Sequence, residues 1–312
     1  MKYRALLFSF LFLLSFGIFA GPLAAQHGIV TTPIGTGDDI GYSIKVQDDG
    51  KIVVGGYYYA AASPTLRDFV ALRYHASLTL DDSFDTDGIA PHGIWGNDNA
   101  ESLVIQPDGK ILLGGTSNQG GDMGCCDQFT VVRLNTDGSA DTGFGPSSNG
   151  HITTSIDSSW DLGRALALRS DGRIVLGGYV DDGAGNWNFA LLGVKADGTL
   201  DPAFNPGGTY GMSPNLESRV VTSVDTGDDY GNAIAIQSDG KILQAGATHN
   251  GTDWDWAIVR FEADGDLDTT FGTGGIVTTD LRGYNDWGSS IALQSDGKIV
   301  FGSKSSNGTD LD

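Results

Sequence analysis

Asp39-Ile-Gly-Tyr-Ser-Ile44-Lys-Val-Gln-Asp-Asp-Gly50-Lys51-Ile52 is the stretch that decides the fold, because the chain writes it five times. Its glycine returns at Gly109, Gly172, Gly240 and Gly297, steps of 59, 63, 68 and 57 residues by subtraction, so one unit of about 60 residues recurs along the 312-residue chain. In the second copy the stretch runs from Asp98 through Leu103-Val-Ile105 to Asp108-Gly109-Lys110-Ile111 and on to Gly114-Gly115. A run of period two, an Asp-Gly pair and a second apolar run read as a β-hairpin. Gly accepts positive φ there, and the Asp side chain can bond the backbone of its own turn.

Outward from the hairpin, each copy continues with an aromatic residue on an apolar strand and a Phe fifteen positions later: Phe69 to Phe84, Phe129 to Phe144, Phe189 to Phe204 and Trp256 to Phe271. The constant spacing implies the same turn in every copy, carrying Asp137-Gly138, Asp197-Gly198 or Asp264-Gly265. A short strand such as Gly275-Ile-Val-Thr-Thr279 closes the unit. Four short strands per repeat, tight turns and no helical periodicity predict an all-β chain. The first choice is a β-propeller of four-stranded blades of about 60 residues, with five blade starts visible and the last one cut short; a β-solenoid is the alternative. A lone four-stranded sheet leaves both faces bare, so neighbouring repeats must cover them.

Composition agrees. Of 39 acidic residues only Glu101, Glu217 and Glu262 are Glu, and the chain holds 47 Gly. Asp favours turns where Glu favours helices, so this bias means many turns. The net charge of −21 argues against nucleic acid and against anionic membrane surfaces as partners, while leaving cations and neutral ligands open. Lys2 and Arg4 precede an apolar run from Ala5 to Ala20, with Ala24-Ala25 after it. That layout predicts a signal peptide over 1–25, a repeat domain over 26–312, and a secreted or cell-surface protein with no membrane span after cleavage. The fifth copy stops before its third strand, which reads as a repeat domain incomplete at the C-terminus.

The pattern apolar-Gln-x-Asp-Gly-Lys-Ile, then Phe-x-x-x-Arg-Leu-Asn-x-Asp-Gly-x-x-Asp-x-x-Phe-Gly, with Gly-x-Val-Thr closing, resembles the delta-60 repeat family of large bacterial secreted proteins, over about residues 28–312. The resemblance implies a β-propeller and no general catalytic activity. Two departures stand out: Gly193 replaces the Arg of the third copy, and residues 207–220 read as a longer link.

Candidate site residues follow from the repetition. Asp39, Asp98, Asp161, Asp229 and Asp286 each lie five residues before the first strand's apolar residue, which puts them at equivalent places on one rim. Carboxylates so placed are calcium ligands on one reading and caps of their own turns on the other. Arg73, Arg133 and Arg260 lie eight residues before Asp81, Asp141 and Asp268, which predicts an Arg–carboxylate pair within the blade. Trp160 and Trp287 each adjoin a repeated Asp and are candidates for ligand contact, whereas Trp256 occupies the core slot of the other copies' Phe. The five His residues fill no repeated slot. Adjacent Cys125 and Cys126 form a vicinal disulfide or lie inert in an insertion.

No nucleophile elbow, phosphate loop or Cys/His pair occurs in the sequence. Chemistry on a repeat fold usually breaks its symmetry, and these copies differ mainly in loop length. The expectation is therefore a secreted, non-catalytic scaffold or binding module for a protein or glycan, with no cofactor beyond calcium. The alternative is a glycan-active hydrolase or lyase with a carboxylate site in the propeller channel.

Overall fold

The computed structural model describes residues 29–35, 37–60, 66–118, 127–156, 160–206 and 217–306. The expected signal peptide and the Cys125–Cys126 pair lie outside the described residues. Four sheets of four strands follow one another, each built from consecutive antiparallel strands. The first holds β1 (Ile40–Val46), β2 (Ile52–Tyr59), β3 (Arg67–Tyr74) and β4 (Ile89–His92). The second holds β5 (Asp98–Ile105), β6 (Ile111–Asn118), β7 (Asp127–Leu134) and β8 (His151–Thr154). The third holds β9 (Asp161–Leu168), β10 (Ile174–Asp181), β11 (Trp187–Val194) and β12 (Arg219–Thr222). The fourth holds β13 (Asp229–Ile236), β14 (Ile242–His249), β15 (Trp254–Phe261) and β16 (Ile276–Thr279), and the hairpin β17 (Asp286–Leu293) and β18 (Ile299–Ser305) begins a fifth. This is a β-propeller. A solenoid would ladder strands of successive repeats together, whereas here every sheet is completed within one repeat. The stretch read as a longer link runs into the third blade's closing strand, because Arg219-Val-Val-Thr222 fills the slot without the expected glycine.

The Asp-Gly turns behave as their chemistry dictates. Gly50 takes φ of 83°, Gly50 N–H donates to the Gln47 carbonyl at 2.9 Å, and Asp49 Oδ1 accepts the N–H of Lys51 at 3.1 Å. The second Asp-Gly turn of the second, third and fourth blades leans on the Phe that ends the preceding unit. A Cβ on Gly198 would lie 2.7 Å from the Phe144 ring, and the Gly145 N–H donates to the Asp197 carbonyl at 2.9 Å. This contact explains why the fifteen-residue aromatic spacing is held.

The core is a series of layers between adjacent blades. One layer joins Val53, Phe69 and Phe84 of the first blade to Leu103, Ile111 and Leu113 of the second. Equivalent layers join the second to the third blade around Phe129 and Phe144, and the third to the fourth around Phe189 and Phe204. Leu103 sits over Gly55 of the preceding blade, and Leu166 over Gly114. Ile44, the same position in β1, has no preceding blade among the described residues and is 62% exposed, against 1% for Leu103.

Candidate ligand face at the inner-strand bulges

The first strands of successive blades run beside one another, while each fourth strand pairs only with its third. The first strands are therefore innermost. Each carries a β-bulge at the same place: the register skips between Gly41 and Ser43, Ala100 and Ser102, Gly231 and Ala233, and Gly288 and Ser290. In β9 the partners of Gly178 and Gly177 are Gly163 and Ala165, which skips Arg164. The extra residues are Tyr42, Glu101, Arg164, Asn232 and Ser289. A bulge of this kind re-aims its side chain away from the ladder. It also brings the first strand's backbone against the second, where a Cβ on Gly115 would lie 1.9 Å from the Asn99 carbonyl oxygen. The small-residue pair after each Asp-Gly-Lys-Ile run is the steric requirement of the bulge.

The bulge slot is where the repeats stop resembling one another. Arg164 Nη1 donates to Glu101 Oε1 at 3.0 Å across the blade boundary, and its Nη2 donates to the Tyr179 hydroxyl at 2.6 Å. The same guanidinium lies over the Tyr179 ring, 5.2 Å from its centroid. Burial pushes the Glu101 carboxyl up, with Arg164 and Arg67 pulling it back. Burial, together with Glu101 and Tyr57, raises the Tyr42 phenol to about 12. Asn232 donates to the Gly288 carbonyl of the next blade at 2.9 Å.

Aromatic rings extend this strip over three blades. Tyr179 lies 4.8 Å from Tyr230, which stacks on Trp254 at 5.0 Å, and Trp254 stacks on Trp287 at 4.4 Å. Trp187 meets Tyr179 edge-on at 5.2 Å, and the Lys304 ammonium lies 6.0 Å from the Trp287 ring centroid. These four outer rings, Trp187, Tyr230, Trp254 and Trp287, are all partly exposed.

The residues singled out in the sequence fall as follows. The five repeated Asp residues stay one to a blade. Each Oδ2 accepts a backbone N–H from the preceding loop: Ile34 to Asp39 at 2.8 Å, Ile94 to Asp98 at 2.7 Å, Ile156 to Asp161 at 2.8 Å, Val224 to Asp229 at 2.7 Å and Leu281 to Asp286 at 2.8 Å. Burial raises the Asp98 carboxyl, and lifts Asp229 to about 6. Trp287 joins the aromatic strip. Trp160 is partly buried and forms an isolated bridge to Asp127, and it has no ring contact among the described residues. Trp256 meets Phe301 edge-on at 5.2 Å. The Arg–carboxylate pairs form, with Nε to Oδ2 distances of 2.7 Å for Arg73–Asp81 and Arg133–Asp141 and 2.6 Å for Arg260–Asp268.

The sequence reading passed over the bulge slot, since a single variable position inside a repeated hairpin looks like ordinary drift. Its trace was the sequence Tyr, Glu, Arg, Asn, Ser at one fixed distance from the repeated Asp, holding one of only three Glu residues.

Fold and repeats together define an all-β propeller. Residues 47–84, 106–144, 169–204 and 237–271 match the family described as domain of unknown function (DUF5122) beta-propeller, one match in each of the first four blades. No curated protein matches it in sequence. Among solved structures it is similar to an endo-arabinase from Bacteroides thetaiotaomicron, with 12% identity, a TM-score of 0.43, and 86% of this chain and 89% of that one covered. It is also similar to a glucose dehydrogenase, with 9% identity, a TM-score of 0.43 and coverage of 85% and 77%. A third is an ulvan lyase bound to a saccharide, with 9% identity, a TM-score of 0.44 and coverage of 84% and 61%.

Proposed function

We infer that the protein is a secreted, non-catalytic propeller of the delta-60 repeat kind that binds neutral glycans along its inner-strand face. The observation that carries this reading is the continuous strip from Glu101 through Arg164, Tyr179, Tyr230 and Trp254 to Trp287. Sugar rings present apolar C–H faces that rest on aromatic rings, and hydroxyls that bond to carboxylate, guanidinium and amide groups. A few placed polar groups beside apolar surface is the usual composition of a ligand site. A net charge of −21 disfavours anionic polymers, which leaves neutral ones.

Affinity electrophoresis through gels containing neutral polysaccharides tests this reading, with reducing ends measured in parallel. The expected result is retardation by at least one polysaccharide, lost in Trp287→Ala and Tyr230→Ala, without new reducing ends. Equal mobility of wild type and variants in every gel would remove the binding role. One observation favours a second reading, a hydrolase or lyase at the same face: Glu101 is a carboxyl pushed up by burial. New reducing ends that vanish in Glu101→Gln would install that reading in place of the first.

A further inference from the structure

The junction between the fourth and fifth blades differs in charge from every other junction. Three positions are equivalent from junction to junction: the second residue of a third strand, the residue after a fourth strand, and the repeated Asp of the next blade. They are Asp68, Gly93 and Asp98 at the first junction, Gln128, Ser155 and Asp161 at the second, and Asn188, Ser223 and Asp229 at the third. At the fourth they are Asp255, Asp280 and Asp286. Three carboxylates meet there, with ligand oxygens all within 4.8 Å of one another.

At two other blades the repeated Asp is met by a hydroxyl on strand two, while the half-buried Asp39, on the blade with no preceding blade among the described residues, also has an Oδ1 without a partner. Asp98 accepts the Ser117 hydroxyl, and Asp229 accepts the Thr248 hydroxyl at 2.5 Å. Asp68, the second acid of the first junction, accepts a hydrogen bond from Tyr58. Asp286 is opposite Ser305, whose hydroxyl instead lies 3.4 Å from the Ser306 carbonyl. Asp286 is 0% exposed and Asp255 is 8% exposed, yet the Oδ1 of each has no hydrogen-bond partner. None of the three carboxylates has an ion-pair partner among the described residues. Buried carboxylate oxygens without donors, set beside two further negative charges, are costly unless a cation joins them.

We propose that Asp255, Asp280 and Asp286 form a binding site for a divalent cation of the calcium class. Oxygens on opposite sides of calcium are separated by roughly 4.8 Å, twice a typical bond of about 2.4 Å, and no pair of ligand oxygens here lies further apart than that. Asp280 lies on the exposed side and opens the site to solvent, where waters complete the six to eight ligands that calcium takes. Trp254 and Trp287, next in sequence to Asp255 and Asp286, stand beside the site and make it readable by light.

Terbium is the probe. The metal-free protein is titrated with terbium while tryptophan is excited and terbium emission is recorded, and calcium is then added as competitor. The expected result is saturable emission at one equivalent that calcium displaces, with affinity reduced by about tenfold or more in Asp280→Asn and in Asp255→Asn. Asp280→Asn alters only an exposed side chain, so its metal-free melting temperature is expected to match or exceed the wild-type value. Calcium should raise the wild-type melting temperature and leave that of Asp280→Asn unchanged. Absence of sensitised emission would overturn the site and leave the Ser305 hydroxyl as the partner of Asp286. Emission equal in wild type and both variants would place the bound terbium elsewhere on the acidic surface and overturn it equally. Neither outcome bears on glycan binding, which the electrophoresis reads separately.

Discussion

The guanidinium of Arg169 donates through Nη1 to the carbonyl of Ala263 in the next blade. That bond replaces one the fold makes elsewhere from a different strand: Arg73 to the Thr136 carbonyl and Arg133 to the Ala196 carbonyl, both at 2.5 Å. In the third blade the donor position is Gly193, and the Phe204 ring has taken the space, since a Cβ there would lie 2.5 Å from its Cγ. Arg169 stands where the other copies have Gln47, Gln106, Gln237 and Gln294. Loss of one Arg and gain of another are two halves of one exchange, and Arg173 completes it by reaching Asp201 at 3.2 Å.

Arg169→Gln, the residue of the other copies, is therefore expected to lower stability by about 2 kcal/mol, the usual worth of a charge-assisted bond to a partner left without a donor. Restoring Arg at 193 in the same chain should not rescue it, because Phe204 fills the space. Urea unfolding of both variants checks this.

The caps give a second prediction. Asp98→Ala leaves the Ile94 N–H and the Ser117 hydroxyl without their acceptor, at an expected cost of about 1–3 kcal/mol. The loss should be the same in calcium chloride and in EDTA, whereas a calcium ligand at Asp98 would make it depend on the metal.

Two glycines separate steric need from conformational need. Gly115→Ala forces a Cβ to 1.9 Å from the Asn99 carbonyl and is expected to cost more than about 2 kcal/mol. Gly50→Ala meets nothing within 4 Å but must hold φ of 83°, so about 1 kcal/mol is expected. Thermal melts of the pair rank the two effects.

The pH prediction concerns His92, whose Nε2 lies 3.0 Å from His151 Nδ1. Burial, helped by His151, lowers the His92 imidazole from 6.5 to about 4. Between about pH 6.5 and 4 the unfolded chain binds a proton that the folded chain does not, so this group makes stability fall as pH falls through that window. Asp229, raised to about 6, acts oppositely: the folded state holds its proton above the unfolded value, and this contribution is lost as pH rises through 6. His92→Gln should flatten the acid-side loss, and Asp229→Asn should steepen it. Denaturant midpoints measured from pH 7 down to pH 4 distinguish the two.

Much of the architecture was legible in the chain, because what builds a blade is short-range. Asp49-Gly50 makes its turn from its own side chain and its own φ, period two marks the strands, and fivefold recurrence supplies the count of hairpins. The Arg73–Asp81 pair was legible too, its partners eight residues apart. The start of the closing strand, Arg219 and Val220, falls within the stretch that reads as link, because that strand lacks the glycine that marks its counterparts.

The contacts between blades are a matter of tertiary packing. Glu101 and Arg164 are 63 residues apart, and their contact exists because two bulges at the same slot turn both side chains to the inner face of neighbouring blades. Asp286 is marked by the repeat, but Asp255 and Asp280 read as ordinary acids among many, and only blade stacking brings the three within 4.8 Å. Turn chemistry and strand period are properties of a few consecutive residues, so the blade is written locally in the chain. Which side chains face one another depends on how blades pack, and that is a property of the whole array.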